Sequence, residues 1–188
     1  MVYILLADGF EEMEALVPAD LLRRAGIEVK LVGLDAPVIT GSHGIAVTAD
    51  LLLEQASAEE MDMLVLPGGM GGVESMQMDL FALAFIQKAY TLGRWLAAIC
   101  AAPTLLAHLG LLDRRKAVCY PGLEDEMGSA VVLPHQEVVV DGRIVTARAA
   151  GCAYEFGFQL ITLLAGQSKT EEVRHAIHYR DGENSSAG

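Results

Sequence analysis

Apolar and polar positions follow two alternating patterns along this chain, and the alternation predicts its elements. Residues 2–7 and 28–33 are short, largely apolar runs, whereas residues 11–25 between them repeat apolar side chains with a helical period. Later apolar runs at residues 62–66 and 95–99 are each followed by a helical stretch. Short apolar runs that alternate with helices are typical of buried parallel strands. The pattern predicts an α/β fold with a doubly wound, mostly parallel sheet and helices on both faces.

Two hairpins and the closing helices complete the predicted elements. The expected helices cover residues 80–92, 103–110, 154–165 and 170–179, and the expected hairpins pair residues 38–40 with 45–49 and residues 137–140 with 144–147. We expect the first hairpin at an edge of the sheet, and the second to turn at Asp141-Gly142, a dipeptide suited to tight primed turns. Since no internal repeat or long linker is visible, we expect one domain over residues 1–180 and a disordered tail at residues 181–188.

Charge and cysteine content narrow the function classes. The chain has 188 residues, 53% of them apolar, with 13 Lys and Arg against 25 Asp and Glu and a formal net charge of −12. Such an acidic surface repels phosphate backbones and anionic membranes, so we expect no nucleic acid as a general ligand. Cys100, Cys119 and Cys152 are an odd number of widely spaced cysteines. We also expect no secretory leader, because the apolar residues 1–6 have no basic region and run directly into Asp8. We therefore expect a cytoplasmic protein whose fold does not depend on disulfides.

One uncharged stretch, residues 95–112, approaches the length of a membrane span. Pro103, His108 and Gly110 interrupt it. A buried strand, a sharp turn and a core helix account for the stretch better than a membrane helix does, so we expect no membrane partner.

Cys100 is a candidate nucleophile because of its position. It lies where the apolar run 95–99 gives way to Ala101, Ala102 and a helix. Small residues on both sides allow the sharp strand-to-helix turn that presents a nucleophile at the edge of a sheet. The beginning of the following helix would favour a thiolate. Against this, a free cysteine is most often a small buried hydrophobic residue, and the residues alone leave both interpretations open.

Glu14 is a candidate acid or base on the helix after the first strand. It shares the apolar face of that helix with Val17, whereas Glu12 falls on a wetter face with Asp20. A carboxyl group on an apolar face must find a partner or stay protonated. If it faces Cys100, it is an acid of raised pKa that hydrogen-bonds the sulfur. Alternatively, it is partly solvated and complements the positive end of the helix dipole.

A glycine-rich turn, Pro67-Gly68-Gly69, follows the strand predicted at residues 62–66. Glycines allow backbone N–H groups to approach a ligand closely. The N–H groups of Gly69 and Ala101 could together form an oxyanion hole. An ordinary strand-ending turn is the competing interpretation.

Neither a cofactor nor a metal is indicated by the motifs. The glycine turn lacks the Lys and Ser or Thr of a phosphate-binding loop and the glycine spacing of a dinucleotide fingerprint. Among the five His and three Cys, only His175 and His178 stand at a ligand spacing, and we interpret them as surface residues. We therefore expect chemistry that uses amino-acid side chains alone.

The motifs closely resemble the DJ-1/ThiJ/PfpI superfamily, and within it the subgroup of the Parkinsonism-associated human protein and bacterial YajL. The resemblance spans about residues 2–166 and rests on GFEEMEA at 9–15, LRRAGI at 22–27, VLPGG at 65–69, AAICAAP at 97–103 and EF at 155–156. Motifs of this number and in this order are specific for the family.

The resemblance implies a flavodoxin-like fold, a homodimer and a site centred on Cys100 as a nucleophilic, oxidation-prone cysteine. Glu14 matches the family glutamate that hydrogen-bonds this sulfur. The backbone amides of Gly69 and Ala101, beside Gly68, match those that hold an oxyanion or a sulfinate oxygen.

Further positions are implied around the substrate. Arg24 matches a basic residue near the mouth of the family site. His43 stands where the family often has an anion-binding Arg, and Tyr120 where the subgroup often has a His, so a phenol would replace an imidazole as proton relay. Residues 149–152 read AAGC instead of the usual Gly-Pro-Gly-Thr, which brings Cys152 into a loop expected near the pocket.

The implied function is cofactor-free conversion of methylglyoxal to lactate, or repair of early glycation adducts, with a small carbonyl compound or glycated adduct as substrate. An oxidative-stress sensor whose Cys100 becomes a sulfinate, a chaperone, and a reversible disulfide of Cys100 with Cys119 or Cys152 are alternatives. A peptidase is weakened because Ala101 replaces the His of the protease branch. No site residue indicates the thiamine-related chemistry attributed to ThiJ proteins.

Overall fold

Strands and helices alternate along the chain in a computed structural model that describes residues 1–180. The strands are β1 (Val2–Leu6), β2 (Val29–Gly33), β3 (Val38–Thr40), β4 (Ala46–Thr48), β5 (Leu51–Leu52), β6 (Met63–Leu66), β7 (Trp95–Ile99), β8 (Lys116–Ala117), β9 (Val131–Val132), β10 (Val138–Asp141) and β11 (Ile144–Ala147). The helices are α1 (Glu12–Arg24), α2 (Met70–Met78), α3 (Leu80–Thr91), α4 (Ala102–His108), α5 (Ala153–Ala165) and α6 (Gln167–Ala176). The tail predicted at residues 181–188 lies outside the described residues.

Seven of these strands form one sheet in the order β10-β11-β7-β6-β1-β2-β5. Every neighbouring pair is parallel except β10 with β11. Because β1 lies inside the sheet and the chain adds strands on both sides of it, the sheet is doubly wound, as predicted. β7, β6 and β1 are parallel neighbours, so the turns after Ile99, Leu66 and Leu6 meet at the carboxyl ends of these central strands.

Helices cover both faces of the sheet because its central strands are apolar on both sides. Tyr3 and Leu5 of β1 belong to the core beneath α2, α3 and α4. Val2, Ile4 and Leu6 of the same strand belong to the core shared with α1, α5 and α6. Successive side chains of a strand point to opposite faces, so one continuous apolar run contributes to both cores.

The first hairpin forms, but its predicted place is wrong. β3 and β4 pair with each other as a separate two-stranded sheet and do not extend the main one. Residues 50–52 already occupy the edge of β2. The Asp50 N–H donates to the Leu31 carbonyl at 2.7 Å, and the Asp50 carboxylate accepts the Leu31 N–H at 2.7 Å. β5 continues this pairing, so β5, and not the hairpin, is the edge strand beside β2.

The sequence pattern did not predict α2, because glycines in its first turn lower helix propensity. The helix nevertheless begins at Met70, directly after the glycine turn. A Cβ atom at Gly72 would lie 3.0 Å from the backbone of Phe10, so glycine lets α2 approach the turn after β1. The second hairpin, β10 with β11, is confirmed, but its turn lies one residue later than predicted. Asp141 still pairs with Ile144, so the two turn residues are Gly142 and Arg143, and Gly142 has a φ of 61°.

The uncharged stretch at residues 95–112 folds as β7 and α4, joined by the turn at Cys100 and Ala101. Leu105 and Leu106 of α4 are completely buried against the sheet. Within residues 1–180, no helix combines the length and the apolar character that crossing a membrane requires.

Candidate active site

Cys100 occupies the turn between β7 and α4, at the carboxyl edge of the sheet. Its φ of 67° is a left-handed conformation that a non-glycine residue keeps only when its surroundings impose it. Its N–H donates to the Ala147 carbonyl at 2.9 Å, and its own carbonyl accepts the Tyr120 N–H at 2.7 Å. Both backbone polar groups of the strained residue are therefore fixed, and its side chain remains partly exposed. This is the strand-turn-helix geometry of a nucleophile elbow.

Two backbone N–H groups face the sulfur of Cys100. They belong to Ala101 and Gly69, and their hydrogen bonds to the sulfur favour its charged form. The peptide group that carries the Gly69 N–H is held at its other end, because the Glu11 N–H donates to the Gly68 carbonyl at 3.0 Å. The structure thus brings both candidate oxyanion donors to one sulfur atom.

Glu14 lies in the first turn of α1 and is fully buried. Its Oε2 accepts the Gly68 N–H at 2.8 Å. Its Oε1 has no hydrogen-bond partner in the described part of the chain, and the Cys100 thiol is the side chain whose interaction with the carboxyl group lowers its pKa. Burial raises the pKa of Glu14 to about 7, because its effect is larger than that of the hydrogen bonds with Cys100 and Gly68, which act to lower the pKa. A partly solvated Glu14, the alternative that the sequence left open, is wrong.

Glu14 and Cys100 bind protons as a coupled pair. Burial, together with the charge and hydrogen bond of Glu14, raises the pKa of the Cys100 thiol to about 12. The two amides act to lower this pKa, but their effect is smaller. The start of α4 was expected to favour a thiolate, but this helix has only seven residues and burial outweighs it. At neutral pH the site therefore holds a thiol beside a carboxyl group that can accept its proton.

Gly68 allows the carboxyl and the sulfur to approach each other. A Cβ atom at this position would lie 2.5 Å from Glu14 Oε2, 2.7 Å from Cys100 Cβ and 3.1 Å from Cys100 Sγ. Gly69 meets a different requirement, because its φ is 85° and a Cβ atom there would lie 2.3 Å from the Gly9 carbonyl oxygen. Gly68 is therefore needed for the close approach of the carboxyl and the sulfur, and Gly69 for the left-handed turn beside them.

Arg24 and Tyr120 lie at different distances from this centre. Arg24 is ten residues beyond Glu14 on α1, about 15 Å along the helix axis. Its Nε donates to the Asp20 carboxylate at 2.6 Å, so the structure does not bring it to the sulfur. Tyr120 adjoins Cys100 through its backbone N–H, and its side chain is 48% exposed.

His43 binds Glu12. Its Nδ1 lies 2.8 Å from Glu12 Oε2, and its backbone N–H donates to Glu12 Oε1 at 2.8 Å. The wetter face predicted for Glu12 is wrong, because the loop at residues 41–45 covers this carboxylate and leaves it 4% exposed. Burial acts to raise the pKa of Glu12, but hydrogen bonds from His43 and Ile45 outweigh it and hold the pKa at about 2. The same bond raises the pKa of His43.

Glu11 was missed as a site residue. Its Oε2 accepts the Glu14 N–H at 2.8 Å, so it caps α1 and orients the turn that carries the buried carboxyl. An acid just before an apolar helix is a recognisable capping signal. Gly41 was also missed, because its role depends on the tertiary fold: a Cβ atom there would lie 2.3 Å from the Glu12 carboxyl.

Glu11, Glu12 and His43 form the one cluster with metal-ligand spacing in residues 1–180, with their ligand atoms within 4.8 Å of one another. Their carboxylates already accept the N–H groups of Glu14, His43 and Ile45. A metal ion would have to displace the cap of α1 and the loop contact. We assign this cluster to the support of the site.

The arrangement supports addition of sulfur to an electrophilic carbon. Cys100 supplies the nucleophile, Glu14 a proton acceptor, and the amides of Gly69 and Ala101 a place for developing negative charge. An α/β sheet with a cysteine at its nucleophile elbow, facing a buried glutamate, defines a class of cysteine-centred α/β proteins. The chain belongs to the DJ-1/PfpI family, which it matches over residues 1–163.

Individual relatives support this membership. A deglycase of Pyrococcus abyssi is 38% identical over 164 residues, which cover 87% of this chain and 98% of the relative. The crystal structure of Drosophila melanogaster DJ-1beta is 35% identical, with a TM-score of 0.90 over 94% of this chain and 96% of that one. Oxidized Toxoplasma gondii DJ-1 is 33% identical, with a TM-score of 0.88 over 95% and 98% of the two chains. The predicted family and fold are confirmed, and several relatives carry the name deglycase.

Proposed function

We propose that this protein is a cofactor-independent cysteine enzyme that converts 2-oxoaldehydes to 2-hydroxy acids, with methylglyoxal to lactate as the model reaction. The carrying observation is the contact of Cys100 with Glu14 and with the amides of Gly69 and Ala101. Early glycation adducts of the same aldehydes form a second substrate class, supported by the relatives named deglycases.

The first step forms a carbon–sulfur bond. The Cys100 sulfur attacks the aldehyde carbon while the Glu14 carboxylate accepts the thiol proton. The N–H groups of Gly69 and Ala101 stabilise the aldehyde oxygen as it gains negative charge. Protonated Glu14 then returns the proton to this oxygen, which gives a hemithioacetal and restores the carboxylate.

The second step moves hydrogen between carbons. Glu14 removes the proton from the former aldehyde carbon and delivers it to the neighbouring carbon, while the hydroxyl proton passes between the two oxygens. The product is a lactoyl thioester of Cys100. Water adds to the thioester carbon, lactate leaves, and the proton returns to the sulfur. A carboxyl pKa of about 7 suits both directions of transfer near neutral pH.

The proposal also covers the oligomeric state of the protein and its location in the cell. We propose a homodimer, supported by Met13 on α1 and Tyr154 on α5, which are large apolar side chains left 49% and 39% exposed on two helices that contact each other. Three free cysteines suit a reducing cytoplasm.

Turnover without added cofactors tests the reaction. The wild-type protein is expected to form lactate from methylglyoxal with no glutathione and with a chelator present, because every group in the proposed steps belongs to the chain. Lactate is measured by an enzyme-coupled assay after removal of the protein. No lactate above the protein-free rate between about pH 6 and about pH 8, the range set by the Glu14 pKa, would refute the proposal.

A redox sensor is the second candidate function, favoured by the same two amides. Oxidation by peroxide adds two oxygen atoms to the Cys100 sulfur, and each addition reduces one peroxide molecule to water. The resulting sulfinate oxygens would accept the N–H groups of Gly69 and Ala101. The relative from Toxoplasma gondii described as oxidized is consistent with this chemistry.

Mild peroxide is expected to oxidise Cys100 selectively, because Cys119 and Cys152 are buried whereas Cys100 is partly exposed. Among the three cysteine-containing peptides, mass spectrometry is expected to find the gain of two oxygen atoms on the Cys100 peptide alone. The two buried cysteines serve as internal controls. Equal oxidation of all three would count against the sensor function.

A further inference from the structure

Thr146 is a buried polar residue in a strand that is otherwise apolar. It lies in β11 between Val145 and Ala147, and it is 1% exposed. Its Oγ1 accepts the backbone N–H of Val118 at 2.9 Å. Val118 is completely buried, so without this hydroxyl its N–H would lose its partner away from water.

The bond to Val118 holds the chain segment that reaches Cys100. Two residues after Val118, the Tyr120 N–H donates to the Cys100 carbonyl at 2.7 Å. The neighbour of Thr146 in β11, Ala147, accepts the Cys100 N–H at 2.9 Å. The end of β11 therefore holds both backbone groups of Cys100, one directly and the other through the segment at residues 118–120.

The carbonyl of Cys100 and the N–H of Ala101 belong to the same planar peptide group. A hydrogen bond on the carbonyl therefore sets the direction of the N–H that faces the sulfur. Cys100 also has a φ of 67°, and a strained conformation persists only where neighbouring contacts impose it. If the segment at residues 118–120 shifts, both the strain and the direction of the Ala101 N–H can relax.

We propose that Thr146 is a positioning residue for the oxyanion site. Through Val118 and Tyr120, its hydroxyl fixes the Cys100–Ala101 peptide group so that the Ala101 N–H points at the reacting centre. This inference rests on the proposed function for its turnover measurement only, because the reactivity of the Cys100 thiol can be measured without a substrate.

Thr146→Val tests the proposal, because valine keeps the branched shape in the strand and removes the acceptor. We expect kcat for methylglyoxal to fall by about tenfold or more with KM nearly unchanged, since a small misplacement affects the transition state most. The second measurement is the rate at which iodoacetamide alkylates Cys100, determined by peptide mass spectrometry at a series of pH values. We expect the rise of this rate with pH to shift to higher pH in the variant. Thr146→Ser, which restores the acceptor, is expected to recover both properties.

Thr170→Val is the matched control. Thr170 is also a buried threonine with a hydrogen-bonded hydroxyl, but it lies on α6 and bonds to Thr162. It is expected to change stability without changing kcat per folded molecule or the alkylation profile. If Thr146→Val is not recovered in folded form, Thr146→Ala takes its place, because it also removes the acceptor.

Equal alkylation profiles for wild type and Thr146→Val, with unchanged kcat per folded molecule, would overturn the positioning role. Failure of the wild type to form lactate would instead refute the proposed function, and the alkylation comparison would still decide the role of Thr146. A changed profile that Thr146→Ser does not recover would also contradict the proposal, because the acceptor would then not be the cause.

Discussion

Cys100→Ser is expected to lower lactate formation from methylglyoxal by at least about 1000-fold, because loss of a nucleophile removes the covalent route. Serine keeps the size of the residue, and its hydroxyl can occupy the place of the sulfur between Gly69 and Ala101. A serine hydroxyl is a much weaker nucleophile than a thiol, so its addition to the aldehyde carbon is expected to be slow even with Glu14 as proton acceptor. The measurement is kcat/KM by the lactate assay, with circular dichroism to establish that the variant is folded.

Cys152→Ser is the matched control for this substitution. Cys152 is buried and stands at the N-cap of α5, a position where serine is favoured. The variant is therefore expected to fold and to keep its turnover. Equal activity of Cys100→Ser and wild type would exclude Cys100 as the nucleophile. Equal loss in both cysteine variants would indicate that the effect is structural.

The centre of the site could be predicted because its signals are local. A cysteine between an apolar strand and small residues predicts an elbow, and a lone carboxyl on the apolar face of a helix predicts a buried acid. The parallel order of the strands then predicts that the two meet at one edge of the sheet. Cys100 and Glu14 are brought together in the structure for these reasons.

Other features could not be predicted, because they depend on contacts between distant residues. The helical period places Glu12 on the solvent-facing side of α1, yet a loop about thirty residues later in the chain covers its carboxylate and donates hydrogen bonds to it. Thr146 reads as an ordinary strand residue until the fold places it beside Val118, 28 residues earlier. Arg24 matches the family motif, but its place at the far end of α1 separates it from the sulfur.

Glu14→Gln is expected to lower kcat by about 10² to 10⁴-fold, the usual contribution of a general acid–base. The glutamine carbonyl can still accept the Gly68 N–H, so the local structure is expected to persist. Its amide cannot take up the thiol proton or carry hydrogen between carbons. KM is expected to change much less, because the two oxyanion amides remain in place.

The same substitution is expected to stabilise the protein at neutral pH and above. The folded-state pKa of Glu14 is about 7, above the ordinary value of about 4.3. Between these values the folded protein binds a proton that the unfolded chain has lost, so the stability of the wild type falls as pH rises through this range. Because Gln does not titrate, the gain in free energy of unfolding is expected to grow from near zero at about pH 4 to about 3 to 4 kcal/mol at about pH 8.

Glu12→Gln is the control with the opposite sign, two residues earlier on α1. Hydrogen bonds from His43 and Ile45 hold the pKa of Glu12 at about 2 despite its burial, so its ionised form stabilises the folded state. This contribution is present above the ordinary carboxyl pKa and is lost as pH falls through the folded value. Glu12→Gln is therefore expected to be less stable than wild type at neutral pH, while Glu14→Gln is more stable. The measurement is the free energy of unfolding of wild type and both variants, determined by urea denaturation at a series of pH values. A difference between Glu14→Gln and wild type that does not change with pH would contradict a raised pKa at Glu14.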